Sequence, residues 1–369
     1  MTNPHARIPS LDGLRAISIL MVVWGHLYGT RNYWWPQAGF FDVGELGVRF
    51  FFVISGFLIT SILLEEVTAT GGINLWKFYF RRTLRIFLPY YAFLLFVWFA
   101  QPLGWFPANG TDFAHAFTYT SNYQLDRNWH LAHSWSLSVE EQFYLLWPAA
   151  LLFVGLKRGL TAAGLLLLLC PFVRVLLYWG LPARTAGIGH QFETIADALA
   201  LGCLLAGKSA WPKPIRDFYE WILQARGMWL VPVIAVLANG THEHPLSFFF
   251  LGHTVVNVCA ALCVDWAISH HDGLVGRALN AKPLVWLGTI SYSLYLWQQL
   301  FLNRASALWV AAFPQNIAFV LLAALASYWL VERPALQLRQ WLEPKLFGRA
   351  KKKKFPALEH LSWLAKSEK

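Results

Sequence analysis

The sequence predicts an all-α, polytopic integral membrane protein folded as a single bundle of about ten transmembrane helices. Three observations predict it. Apolar residues (A, V, I, L, M, F, W, Y, C) make up 57% of the 369 positions and charged residues only 14%, whereas a water-soluble domain carries about 25% charged residues. The 20 Trp, 28 Phe and 13 Tyr suit many bilayer interfaces, where amphipathic rings settle at headgroup level. Apolar stretches approaching the roughly 20 residues of a spanning helix recur along the whole chain.

Ten segments qualify, at about 14–30, 46–64, 86–101, 137–154, 161–179, 194–207, 228–238, 247–268, 284–302 and 307–330. The first follows a polar start (MTNPHARIPSLDG) without a small-residue cleavage pattern, so it reads as a retained helix. The second is the run RFFFVISGFLITSILL, and the third is entered through FYFRRTLRIFLPYY. The fourth carries an acidic pair in SWSLSVEEQFYLLWP, and the fifth is dominated by leucine. The 194–207 and 228–238 segments are short, which leaves the count between nine and eleven. The last three alternate with short basic loops.

Loop charge tests this arrangement. With the N-terminus in the cytoplasm and sides alternating, 24 Lys and Arg fall inside and five outside (Arg31, Arg49, Arg127, Arg184, Arg304), leaving Arg174 within a helix. That asymmetry follows the positive-inside rule and places both termini in the cytoplasm. It also accounts for the net charge of +10 without nucleic acid, because the basic residues sit between apolar runs and crowd the C-terminus. The expected organisation is a transmembrane domain over 1–344 and a basic cytoplasmic tail over 345–369. The tail either lies on an anionic leaflet or is idle. The longest outer loop, roughly 102–136, is rich in aromatic and polar residues and long enough to suggest a functional role. Cys170, Cys203, Cys259 and Cys263 all lie in apolar segments and read as buried thiols, with no disulfide framework and no metal site.

Ionisable groups within the bilayer are expensive and mark pathways or sites. Arg15 and His26 are eleven residues apart, which puts them within about 20° on one helical face and roughly 16 Å apart along the axis. Taken alone, His26 reads first as a hydrogen-bonded packing residue. Arg82 and Arg85 share a face at i, i+3 where the third helix enters. They suit a phosphate clamp, because guanidinium forks pair phosphate oxygens bidentately, and suit positive-inside anchoring just as well. Ser136, Glu140 and Tyr144 recur every four residues, giving one face a hydroxyl, a carboxylate and a phenol. Glu140 calls for a partner, with His26 or an arginine the natural one, while Glu141 points to the interface. Glu193 and Asp197 form a further acidic pair, readable as an ion site or as partners of neighbouring helices. The chain carries no GxSxG, P-loop, GxGxxG or HExxH signature.

These clusters resemble the acyltransferase family 3 proteins, integral-membrane acyltransferases that include bacterial O-antigen and exopolysaccharide O-acetyltransferases and macrolide acyltransferases. The strings IPSLDGLRAISILMVVWGH, GELGVRFFFVISGFLITSILL, FYFRRTLRIFLPYY, SWSLSVEEQFYLLWP, GTISYSLYLWQ and SYWLVERPAL occur in the family's order between residues 8 and 336. The resemblance implies a multi-pass protein of the inner membrane with an acyl-CoA donor, acetyl-CoA first, and no bound cofactor. It implies a catalytic His26, an Arg-x-x-Arg motif at Arg82 and Arg85, and functional positions at Arg15 and Glu140. A glycan or polyketide-like hydroxyl would be the acceptor. In this reading His26 is a general base, Glu140 orients it, and Ser136 and Tyr144 line the substrate path. Two positions depart from the pattern: Arg49, where many members have Asp, and Gln298, where many have His. The rival readings are another class of membrane O-acyltransferase, acting on lipid or protein, and a non-catalytic transporter or flippase using the same charges as a path. The transporter requires inverted repeats and matching broken helices, which the sequence does not display.

Overall fold

A computed structural model describes residues 10–35, 42–240 and 247–348. Every regular element among the described residues is helical. α1 (Leu11–Leu27) is followed by α2 (Val43–Thr70), and α3 (Leu75–Arg82) passes through a π-helical turn, Thr83–Phe87, into α4 (Leu88–Ala100). The loop over 102–136, expected on the outer side, folds into α5 (Gly110–Phe117) and α6 (Trp129–Ala132). Then come α7 (Ser134–Val154), α8 (Leu156–Gly180), α9 (Phe192–Ala206), α10 (Lys213–Gln224) and α11 (Leu230–Asn239). α12 (His253–Ser269), α13 (Leu274–Leu279), α14 (Lys282–Thr289), α15 (Ser291–Phe301) and α16 (Gln315–Ser327) follow. A second π-helical turn, Tyr328–Glu332, leads into α17 (Arg333–Phe347).

All ten apolar segments contain helix. Among the described residues, five helical stretches are long and apolar enough to cross a membrane: Val43–Thr70, Leu75–Leu103, Leu156–Gly180, Phe249–Ser269 and Gln315–Phe347. The pair Lys213–Gln224 and Arg226–Asn239, bent by 68°, makes a sixth if taken as one span. The chain is therefore a multi-pass membrane protein. The other segments fall short for visible reasons. α1 has 17 residues and α9 has 15, α7 carries Glu140, Glu141 and Gln142 in its first half, and the 284–302 segment is broken between α14 and α15. α17 runs through Pro344 to Phe347, so no helix end marks the expected 344/345 boundary. The basic run Lys351–Lys354 lies outside the described residues.

α1, α2 and α9 form the centre, α2 packing on both of its neighbours. Small residues allow these contacts, as in membrane bundles, where close approach replaces the hydrophobic drive of water. A Cβ on Gly25 would stand 2.7 Å from the backbone nitrogen of Gly44, and one on Gly202 would stand 2.2 Å from the carbonyl oxygen of Val53. These approaches hold the polar residues of α1 and α2 at fixed depths beside α7. Arg49, assigned to an outer loop from the sequence, instead lies inside α2 and is fully buried.

Candidate active site

Two groups of polar side chains lie in the bundle along α1. The first surrounds His26 in the last turn of that helix. Its Nδ1 is 2.9 Å from Gln298 Oε1 on α15. An amide oxygen only accepts, so Nδ1 carries the hydrogen and Nε2 is the basic nitrogen. Nε2 makes no hydrogen bond among the described residues. The edge of the Trp129 ring meets the imidazole at 5.5 Å between centroids, while its indole N–H donates to the Gln299 carbonyl at 2.9 Å. Gln299 Oε1 accepts from the backbone N–H of His133 at 2.9 Å. His133 is buried and makes edge contacts with Phe93 and Tyr295.

The loop that supplies Trp129 is built, not loose. Asn109 and Asp112 form a reciprocal capping box at the start of α5. The buried Asp112 also accepts from Gln124 Nε2 at 2.7 Å and from the Asn128 backbone N–H at 3.1 Å. Hydroxyls of Tyr90 and Tyr91 on α4 donate to the Ala116 and Phe117 carbonyls, tying the loop to the bundle.

The second group gathers where α1 begins and α3 ends. Arg82 and Arg85 extend from α3 and its π-helical turn, and Arg15 comes from α1. π-helical turns widen a helix locally and occur often at functional sites; here the freed Ile86 carbonyl accepts from the Tyr292 hydroxyl at 3.0 Å. Opposite them, Ser55 on α2 donates to Glu140 Oε1 at 2.7 Å, and the Tyr144 hydroxyl donates to Ser55 Oγ at 3.1 Å. The Arg82 guanidinium stands 4.6 Å from the Tyr144 ring centroid. Glu332, buried at the end of the second π-helical turn, accepts from Ser293 Oγ at 2.8 Å and lies in the electrostatic field of Arg85 and Arg15. Arg15, Arg82 and Arg85 are only half-buried, and none makes a hydrogen bond or ion pair among the described residues. Guanidinium groups have five donors, so this group gathers positively charged donors that make no hydrogen bond among the described residues.

The predicted residues therefore divide. Arg15, Arg82, Arg85, Glu140 and Tyr144 come together. His26 stands at the other end of α1, roughly 16 Å away by helix rise. The group on its Nδ1 is Gln298, and Glu140 is held by Ser55, because the i, i+4 stripe on α7 turns toward α2 at that level. Ser136 leaves the stripe's expected role: its hydroxyl meets the Tyr295 hydroxyl at 2.5 Å and the His133 carbonyl at 3.1 Å, within the contact between α7 and α15. Glu141, expected at the interface, is half-buried, with Oε1 sealed from solvent. Glu193 and Asp197 serve neighbours: Glu193 accepts from the Tyr123 hydroxyl at 3.0 Å and Asp197 pairs with Arg174 at 2.6 Å. Sequence reasoning missed Ser55, Gln298 as a partner of His26, His133 and Glu332. Of these, Ser55, a hydroxyl beside Gly56 in an apolar run, and Glu332, within SYWLVERPAL, left a local signal.

A further polar network involves other residues. Arg174 is fully buried and donates to the Thr194 carbonyl at 2.6 Å and to Thr254 Oγ1 at 3.1 Å, besides pairing with Asp197. Arg49, likewise fully buried, reaches Glu45, His253 and, at 3.1 Å, Asn257 Oδ1.

Comparison with known proteins places this arrangement. The chain is 29% identical over 325 residues to a putative peptidoglycan O-acetyltransferase, YrhL, of Bacillus subtilis. It is 30% identical over 322 residues to the peptidoglycan O-acetyltransferase OatA of Listeria monocytogenes, and 30% identical over 312 residues to the O-acetyltransferase OatA of Staphylococcus aureus. These alignments cover 80%, 79% and 79% of this chain but 49%, 48% and 50% of the relatives, so the chain spans about half the length of the proteins it matches. No solved structure matches it. The sequence pattern of the acyltransferase domain runs from residue 8 to 332, taking in α1 with Arg15 and His26, the arginine turn, α7 and Glu332, and by that match the chain belongs to the acyltransferase-domain family.

Proposed function

We propose that the chain is an O-acyltransferase of the cell membrane, spanning it about ten times with both termini in the cytoplasm. It moves an acyl group, acetyl first, from acyl-CoA to a hydroxyl of a glycan. The observation that carries this reading is the set Arg15, Arg82 and Arg85, three half-buried guanidiniums with no hydrogen bond or ion pair among the described residues. A polyanionic donor supplies what they lack. Its phosphates sit among these arginines while the acyl arm extends along α1 toward His26. There Nε2 takes the proton of the acceptor hydroxyl, the oxygen attacks the thioester carbonyl, and the tetrahedral intermediate expels the thiolate of CoA, which takes up the proton. Gln298 keeps the imidazole in the tautomer that leaves Nε2 basic. Glu140 and Tyr144, joined through Ser55, shape the wall facing the donor. The names of the relatives favour a cell-wall glycan as acceptor. The catalytic part needs no cofactor beyond the donor substrate.

The test uses purified protein in nanodiscs with labelled acetyl-CoA and a hydroxyl-bearing glycan acceptor, following thioester loss and label transfer. Wild-type protein transfers label. His26→Ala remains at normal abundance in the membrane and loses roughly 10²–10⁴-fold in rate, the usual worth of a general base. Wild-type turnover in that variant removes His26 from the reaction, and no transfer by wild type removes the reading.

A further inference from the structure

α17 lies antiparallel against the arginine helix. The contact between Arg81 and Glu343 joins their far ends, and α4 meets the π-helical turn that precedes α17. On α17, Glu332, Arg339 and Glu343 follow at spacings of seven and four, within about 40° on one face. That face meets α3 and its π-helical turn. The pairing along it runs Glu343 with Arg81, then Arg339, then Glu332 beside Arg85. Only the middle step sets like against like, since Arg339 lies in the field of Arg81, Arg82 and Arg85. Glu343, one turn away, is also within its field, but the carboxylate hydrogen-bonds to Arg81. Arg339 makes no hydrogen bond or ion pair among the described residues, and its Nε is buried without a partner. Guanidiniums massed around unmet donors define a site for a multiply charged anion.

We infer that Arg339 is a phosphate-binding residue, which with Arg82 and Arg85 closes a site for a phosphate ester at the mouth between α3 and α17. The inference rests on the donor reading above and extends it: the group held at this mouth is the outermost phosphate of the nucleotide end of the donor, and Arg339 grips it from the side opposite Arg82. A phospholipid headgroup offers the same chemistry, so the experiment separates the two sources.

Full-length protein is placed in phosphatidylcholine nanodiscs, and binding of acetyl-CoA, acetyl-3′-dephospho-CoA and adenosine 3′,5′-bisphosphate is measured for wild type, Arg339→Gln, Arg339→Lys and Arg333→Gln. Arg333 is the control: it lies on the same helix, 4.3 Å from the Trp329 ring centroid. Arg339→Gln is expected to weaken acetyl-CoA and the bisphosphate by roughly tenfold to a hundredfold, the worth of one charge-assisted contact. The dephospho donor should be weakened much less, Arg339→Lys should fall between, and Arg333→Gln should match wild type. Because Arg339 faces like charges, the ligand-free Arg339→Gln protein should melt at or above the wild-type temperature. Unchanged affinity for the bisphosphate, an equal loss for the dephospho donor, or a lowered ligand-free melting point with unchanged affinity overturns the inference. In a second arm phosphatidic acid replaces part of the phosphatidylcholine. Its displacing the bisphosphate from wild type but not from Arg339→Gln supports the phosphate site with a lipid as its occupant. Wild-type protein that binds phosphatidic acid through Arg339 but no nucleotide fails the donor reading alone, and wild-type protein that binds neither overturns both.

Discussion

Two sets of arginines sit inside this protein, and their surroundings are opposite. Arg49 and Arg174 are wholly buried, and each has several partners drawn from more than one helix. Arg15, Arg82, Arg85 and Arg339 retain exposed surface and have no hydrogen bond or ion pair among the described residues. An arginine inside a membrane bundle is costly in either case. Where partners satisfy it, the cost is met by the fold and the residue fastens helices together. Where they do not, the donors are left to the anion proposed above. Burial alone would have ranked Arg49 and Arg174 as the more notable residues; whether an arginine has protein partners reverses that order.

The comparison breaks first at Arg174. Arg174→Met leaves Asp197 charged and buried, a loss of about 3–5 kcal/mol when one member of such a pair is removed, comparable with the whole stability of many domains. The expected outcome is little folded protein in the membrane fraction and a much lower melting temperature. Adding Asp197→Leu should restore much of both. A stable Arg174→Met single variant would mean that the pair does not hold α8 to α9.

A smaller effect is expected at the other set. The double variant Arg82→Lys, Arg85→Lys keeps the charge that orients α3 but loses the planar fork. It should insert at wild-type abundance while its affinity for acetyl-CoA falls by about 1.5–3 kcal/mol, measured by binding of labelled donor in nanodiscs. Unchanged affinity would make these arginines anchors and erase the contrast.

The smallest effect sharpens the contrast within the pocket. Ser55→Ala removes the hydroxyl between Glu140 and Tyr144, whose phenol is close enough to take over part of the contact. A loss of about 1 kcal/mol is expected, seen as a modest fall in turnover with donor affinity nearly unchanged. A fall in donor affinity as large as that of the arginine variant would put Ser55 in the phosphate site itself.

What the sequence disclosed follows from the range of each interaction. Apolar runs announce helices because burial in lipid is a property of the segment alone, and every one of the ten segments is helical. Arg15 and His26, Arg82 and Arg85, and Glu140 and Tyr144 were legible because each pair lies on one helix, where spacing fixes the face. Gln298 on His26, Ser55 on Glu140 and Arg339 against Arg85 join residues 272, 85 and 254 positions apart, so they depend on which helices pack together. Arg49 was misplaced for a related reason: its charge read as a loop marker, although Glu45, Asn257 and His253 make room for it within the bundle.

The folded loop over 102–136 has a consequence for the proposed reaction. Trp129 is fastened through Gln299, the immediate neighbour of the residue that orients His26, so the loop and the imidazole share one short stretch of α15. Water competes with any sugar hydroxyl for an activated thioester and is present at far higher concentration. Under the proposed reaction, a loop tied to the bundle in this way would favour the sugar hydroxyl over water and spare acetyl donor while no acceptor is at hand.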